Sequence, residues 1–201
     1  MQSWDISIER WRIEDCAELA SFSCGCETLD NFFQHELASC AQFHYMTPYV
    51  VRFVESHEIV AVFTLANDAI IISGNEDKHD VFEGIFPPLD TEDGERFFYS
   101  QHVYPAINIG HLGVKTEWQR QGIGHFVISY VADSFIRYNI AGCQFITVDA
   151  LNNSDTNGFY MDNHFEYQTN SDFTNKTRRM YFPLYQFKNV DSNTYSLQLL
   201  D

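Results

Sequence analysis

One stretch constrains the fold of this chain more than any other. An apolar run over 106–114 leads through Gln119-Arg120-Gln121-Gly122-Ile123-Gly124 into a long amphipathic segment, and a second apolar run follows at 143–150. Within 121–138 the residues Ile123, Phe126, Val127, Tyr130, Val131, Phe135 and Tyr138 form one stripe at helical spacing, with Asn139 and Gly142 to end it. Strand, helix, strand in that order predicts a right-handed crossover that leaves the two strands parallel. A glycine-rich turn that opens a helix also points several unpaired backbone N–H groups one way, and the helix dipole adds partial positive charge there. Such a place suits a phosphate or pyrophosphate. The dinucleotide fingerprint wants a third glycine where Val127 stands, and the P-loop wants Gly-Lys-Ser/Thr, which this turn lacks.

The first strand carries a second signal. Ile107 and Ile109 share one parity, whereas Leu112 and Val114 share the other. Side chains alternate strictly along a strand, so the change predicts an extra residue, with Gly110 as host of a bulge. A bulge leaves backbone groups unpaired, and the N–H groups of Leu112 and Val114 are candidates to bond an extended ligand.

Around this centre the reading is coarser. Ile6, Ile8 and Trp11 suggest an opening strand. Thr28 can cap a helix over 29–43 whose stripe is Leu29, Phe32, Phe33, Leu37, Cys40 and Ala41. Strands are expected at 49–54 and 59–65, around Glu55-Ser56-His57-Glu58. The acidic segment 67–104, with Pro87-Pro88, reads as an insertion with short, partly packed structure. Ser154–Asp162 reads as a short helix capped by Asn153 or Ser154, and 165–169 with 179–184 as a closing antiparallel pair, Pro183 marking an edge or a strand end. The expectation is one domain over 1–185 followed by a polar tail, 186–201.

Charge bounds the partners. Twelve Lys plus Arg stand against 28 Asp plus Glu, a net charge of −16. Nucleic-acid binding relies on phosphate neutralisation by a basic face, so this balance argues against it, while an acidic field attracts cationic amines. No apolar run reaches the roughly 18 residues that a membrane span needs. The start of the chain lacks the basic and apolar regions of a signal peptide, and five cysteines, an odd number, fit a reducing compartment; cytoplasm is the expectation. Cys24-Gly25-Cys26 with Cys40 and His44 has poor spacing for zinc, so no metal is expected and the thiols read as small buried groups around a helix start.

Gln-x-x-Gly-x-Gly after a strand ending Leu112-Gly113-Val114 resembles the acyl-CoA pyrophosphate loop of the GNAT superfamily of N-acetyltransferases. Val148-Asp149-Ala150-Leu151-Asn152-Asn153 followed by Phe159-Tyr160 is similar to that family's second motif. The resemblance implies an α/β fold, a mixed and mostly antiparallel sheet flanked by helices, whose central parallel strands splay where acetyl-CoA enters. It implies that Leu112, Gly113 and Val114 hold the pantetheine arm and that Gln119, Arg120, Gln121, Gly122, Ile123, Gly124 and His125 hold the pyrophosphate, with Lys115 adding charge nearby. It also implies that Asn153 bonds the pantetheine arm and that Tyr160 is the general acid that protonates the CoA thiolate. The family's Tyr-x-x-x-Gly-Phe reads here Tyr160-Met161-Asp162-Asn163-His164-Phe165, which places His164 where glycine usually takes positive φ. The segment Phe22-Ser23-Cys24-Gly25…Leu29-Asp30-Asn31-Phe32 and the ending Met180-Tyr181-Phe182-Pro183-Leu184 resemble the toxin-type members, which acetylate aminoacyl-tRNA.

Three functions follow: acetyl transfer from acetyl-CoA to a primary amine by direct attack, the same chemistry on aminoacyl-tRNA, or a non-catalytic acyl-CoA-binding module that regulates a partner. The proton acceptor stays open among His111, His102, Glu117, Asp149 and ordered water. Oligomeric state stays open too, with a homodimer among the options.

Overall fold

The computed structural model describes residues 5–72, 74–84, 92–137 and 141–187. Among the described residues seven strands form one sheet in the order β1-β2-β3-β4-β5-β7-β6: β1 (Ile6–Arg10), β2 (Thr47–Phe53), β3 (Ile59–Ile71), β4 (Val103–Val114), β5 (Phe145–Leu151), β6 (Glu166–Tyr167) and β7 (Thr177–Pro183). Every neighbouring pair is antiparallel except β4 and β5, which run parallel. The helices are α1 (Cys16–Leu19), α2 (Glu27–Asn31), α3 (Leu37–Gln42), α4 (Asn75–Gly84), α5 (Glu92–Ser100), α6 (Ile123–Arg137), α7 (Ser154–Asp162) and α8 (Leu184–Phe187), with a π-helical turn, Phe32–Glu36, joining α2 to α3.

Periodicity decides which face each residue takes. Phe63 of β3, Ile107 and Ile109 of β4, and Ile146 and Val148 of β5 pack with Ile123, Val127 and Val131 of α6. Each such fully buried aliphatic side chain contributes about 1.5–3 kcal/mol. The opposite face is covered twice. Val50 and Val62 meet Leu19, Phe22, Phe33 and Leu37 at one end; Ile70, Tyr104, Phe145 and Tyr181 meet Phe98 of α5 at the other.

The expected bulge is present. Thr64 pairs with His111 and Leu65 with Ile109, so Gly110 is the surplus residue. Beyond it, Leu112 and Val114 rejoin the core of Ile107 and Ile109, which strict alternation would forbid.

Several boundaries differ from expectation. The first long helix begins at Glu27, after Cys26, and Thr28 is not its cap. Asp30 organises that corner instead, because its carboxylate accepts from Ser23 Oγ (2.6 Å) and from the Cys24 N–H (2.7 Å). Burial alone would raise its pKa, but those hydrogen bonds to the carboxylate outweigh it and hold the pKa below that of a free aspartate. The central helix starts at Ile123 and not at Gln121, since Gly122 takes φ +92° and a left-handed residue cannot continue a helix; Tyr138 and Asn139 lie outside the described residues. The segment 67–104 is more regular than expected: β3 runs on to Ile71, α4 and α5 follow, and β4 begins at Val103, because Ile70, Ile72, Phe98 and Tyr104 bury one another. Pro87-Pro88 lies outside the described residues. β5 begins at Phe145, two residues later than expected, and β6 is only two residues long. Pro183 does end its strand. Of the expected polar tail, Gln186 and Phe187 belong to α8 and the remainder lies outside the described residues. Among the described residues no helix is long and apolar enough to cross a membrane.

The turn after α7 tests the glycine position directly. His164 takes φ +64°, its N–H bonds Met161 O (2.9 Å), and Phe165 N–H bonds Tyr160 O (3.0 Å). A left-handed backbone costs an L-residue about 1–2 kcal/mol, which glycine avoids while losing some chain entropy. His164→Gly is therefore expected to raise unfolding free energy by about 0.5–1 kcal/mol, and β-branched His164→Val to lower it by about 1–2 kcal/mol, both read from urea midpoints. Equal midpoints for the two variants would contradict this.

Candidate active site

β4 and β5 pair only through Ala106–Phe145, Ile107–Ile146 and Asn108–Thr147. Past those pairs the strands separate, and a cavity of about 470 Å³ occupies the gap. Its lining comes from both faces of the sheet. Leu112, Val114, Ile123, Phe159 and Tyr160 belong to the α6 face, whereas His111, Asp149, Leu151 and Leu29 belong to the other. The gap is therefore a passage that reaches both faces of the sheet.

The loop before α6 forms one wall. Gly122 O accepts from Phe126 N–H (3.0 Å), so the helix begins there and the N–H groups of Ile123, Gly124 and His125 have no carbonyl of their own helix to bond. They face the cavity with the positive end of the helix dipole. Gly124 allows α7 to approach: a Cβ at this position would stand 3.0 Å from the Phe159 ring. His125 Nδ1 is tied to Asn163 Oδ1 (2.8 Å), which leaves its backbone N–H as the part that can serve a ligand. Arg120, at φ +59°, is exposed and sits 3.4 Å from Asp155, a surface pair worth little in stability.

The Gln119 side chain is engaged within the protein. Its Nε2 donates to Cys24 O (2.7 Å) and Val114 O (2.9 Å), so it ties the end of β4 to the Cys24-Gly25 corner. Thr116 N–H adds a bond to Ser23 O (3.0 Å). The two sequence stretches that resemble one family thus meet in space and brace each other. Burial and the neighbouring Asp30 push the Cys24 thiol up to about 12, so it is an inert packing group. Among the described residues no group of three His, Cys, Asp or Glu side chains could hold a metal ion.

Tyr160 lies on the buried side of α7, its ring 5.0 Å from Phe159 and 5.3 Å from Phe165. It lines the cavity, and its hydroxyl makes no hydrogen bond to another described residue. Burial raises its pKa far above that of an ordinary phenol, so the proton stays on the oxygen at any working pH. Asn153 caps α7 through its own Oδ1, which accepts from Thr156 N–H (2.8 Å).

On the opposite face a polar stripe separates the two helical covers. Arg179 bridges Asp68 and Asp149 (3.0 Å to Asp149), Thr147 donates to Asp68, and Asn108 Nδ2 donates to Thr147 Oγ1 (3.2 Å). His111 completes it. Its ring stacks on Phe32 at 3.6 Å and 4°, its Nδ1 sits 3.2 Å from Thr64 Oγ1, and its backbone N–H donates to the same oxygen (3.1 Å).

Burial lowers the His111 imidazole from 6.5 to about 4. In that interval the unfolded chain binds the extra proton, so the associated stability is complete above pH 6.5 and is lost as pH falls toward 4. Discounted for the open edge of the ring, the loss is about 1–2 kcal/mol. Urea unfolding between pH 4 and pH 7 should show this slope, and His111→Gln should flatten it; an identical slope in the variant would contradict it.

Of the residues expected from sequence, Leu112, Val114, Gln119, Arg120, Gly122, Ile123, Gly124, His125 and Tyr160 line one cavity. Gly113, Gln121, Asn153 and Lys115 are not in its lining. Gly113 faces Phe33, Gln121 Nε2 bonds Glu117 O (3.0 Å), and Lys115 is paired with Glu58 and Glu117. Of the four side chains named as proton acceptors, His111 and Asp149 reach the cavity, whereas His102 and Glu117 do not. Asp68 and Arg179 had no sequence signal, since neither sits in a recognisable motif and only the folded sheet brings them together.

The chain matches no protein-family model and no curated protein. Solved structures share its fold. A tyrosine-to-phenylalanine mutant of KacT superposes with a TM-score of 0.70 at 16% identity, covering 93% of this chain and 99% of that one. AtaTR bound with AcCoA gives 0.69 at 17% identity, covering 92% and 97%. AtaT complexed with acetyl-methionyl-tRNAfMet gives 0.68 at 18% identity, covering 92% and 98%. The mixed, mostly antiparallel sheet flanked by helices that the GNAT resemblance implied is thus the fold observed, and the structures that share it include the AtaT toxin.

Proposed function

We propose that this protein transfers an acetyl group from acetyl-CoA to a primary amine by direct attack. The observation that carries the proposal is the passage between β4 and β5, with the α6 amides at one mouth and Tyr160 in its wall. The first-turn amides suit a diphosphate, and the exposed edge of β4 after the Gly110 bulge suits an extended amide-bearing arm. Position supplies much of the rate: holding thioester and amine together converts a bimolecular encounter into an oriented one. Tyr160, kept protonated by burial, donates to the sulfur as the C–S bond breaks. In a cavity shielded from water such a hydrogen bond is worth far more than in solution.

A second reading takes the amine of a charged tRNA as acceptor, and the complex of AtaT with acetyl-methionyl-tRNAfMet favours it. The charge distribution favours a small amine. Among the described residues Arg52, Lys115, Arg137, Arg178 and Arg179 are each paired with carboxylates of this chain, which lowers their availability for phosphates.

Thiol release from acetyl-CoA should be measured with spermidine, free lysine, a peptide with a free N-terminus and methionyl-tRNA. Release above hydrolysis with any of them supports the transferase. Release with methionyl-tRNA alone selects the second reading. Tight acetyl-CoA binding by calorimetry without release from the panel would point to a regulatory module.

A further inference from the structure

We propose that His111 is the catalytic residue that takes the proton from the attacking amine, an assignment that rests on the transferase reading above. The argument begins with the bulge. Without the surplus Gly110, residue 111 would fall on the α6 face among the aliphatic core; with it, His111 turns to the face opposite Tyr160 and still lines the cavity. The two side chains therefore flank the passage from its two sides. A ligand that enters along the α6 amides meets Tyr160 on its own side, and an amine that enters from the other face passes His111.

The imidazole is also held in one orientation. Phe32 stacks on its face, and Nδ1 is engaged by Thr64 Oγ1, so Nε2 is the ring nitrogen that no described residue occupies. Thr64 Oγ1 already accepts the His111 backbone N–H and has a second lone pair for Nδ1–H. We place the neutral ring's proton on Nδ1; the Nε2 lone pair is then free, and the same contact suits the imidazolium that forms on proton uptake. Burial keeps the ring neutral, hence ready to accept, throughout the working pH range. A weak base is sufficient here. Once nitrogen has bonded to the acyl carbon, its N–H becomes strongly acidic, far more so than in the free amine.

The step balances. The amine nitrogen pair forms the N–C bond; the C–S pair leaves on sulfur; the surplus N–H proton goes to His111 Nε2; the thiolate takes the Tyr160 proton. The amide and the free thiol depart, and His111 returns its proton through water to the phenolate. The other titratable groups in the cavity are Asp149 on the amine side, already bonded to Arg179, and Arg120, His125, Asp155 and Asp162 toward the α6 mouth. From β3 and the π-helical turn the ring meets Thr64, Phe32 and, edge-on at 6.3 Å, Phe33, none of which titrates. Asp149 is the rival acceptor.

The test compares wild type, His111→Gln, Asp149→Asn and His111→Ala, using the best acceptor of the amine panel. His111→Gln keeps a hydrogen-bonding partner for Thr64 and cannot take a proton. It should lose about 10²-fold in kcat while acetyl-CoA affinity stays within about two-fold. Added imidazole should restore turnover in His111→Ala in proportion to its concentration, which a merely structural role would not allow. Near wild-type kcat in His111→Gln, or a loss confined to Asp149→Asn, overturns the assignment and leaves the transferase reading standing. An inactive wild type overturns both. Thermal melting of each variant separates lost chemistry from lost fold.

Discussion

Replacing Tyr160 with phenylalanine should lower kcat by about 10²–10³-fold and leave acetyl-CoA affinity nearly unchanged. The substitution removes one oxygen. The ring keeps its contacts with Phe159 and Phe165, so the wall of the cavity survives. No described residue loses a hydrogen bond, because the hydroxyl makes none with them. What disappears is a donor that acts only as charge builds on sulfur, and such an interaction shows in kcat more than in binding. The measurement is steady-state thiol release with a fixed amine, paired with calorimetric titration of acetyl-CoA. Unchanged turnover would remove Tyr160 from the chemistry; a large loss of acetyl-CoA affinity would make it a wall residue.

Gly113→Ala should destabilise the fold by about 2–3 kcal/mol and lower the melting temperature by about 5–10 °C. A Cβ at 113 would stand 2.6 Å from the Phe33 ring and 3.3 Å from the Cys24 side chain, closer than packed atoms allow. Phe33 has no easy retreat, since it is buried and meets Phe22 edge-on at 5.6 Å and Phe32 at 5.7 Å. The strain would move β4 where Leu112 and Val114 line the cavity, so acetyl-CoA affinity should fall with stability. Gly158→Ala is the contrast: it lies inside α7 with nothing within 4 Å of the added carbon. There the helix gains about 0.5–1 kcal/mol from the better helix former. Similar melting shifts for the two variants would show that the close approach at Gly113 is unimportant.

The contrast between these glycines also shows where sequence reading stops. Gly113 and Gly158 look alike in the chain, one between apolar residues of a strand and one within a short helix. What separates them is Phe33, some eighty residues away in sequence. The same limit governed Gln119. Its spacing from Gly122 and Gly124 marked the loop, yet its amide turned out to bond Cys24 O and Val114 O, a bracing role visible only after the corner folded. Thr28 failed as a cap for a related reason: Asp30 satisfied the corner from inside the helix. The segment 67–104 is more regular than the short, partly packed structure its sequence suggests, because Ile70, Phe98 and Tyr104 acquire their order only by packing on one another.

What the sequence determined by itself is local and periodic. The parity break at Gly110, the stripe of α6, the glycine turn before it and the left-handed position at His164 depend on neighbours within a few residues, and steric rules act at that range. Which side chains share a space was decided by the tertiary structure alone. Asp68, Asp149 and Arg179 converge, and His111 and Tyr160 face one passage from opposite sides, because strand pairing joins residues that no periodicity relates.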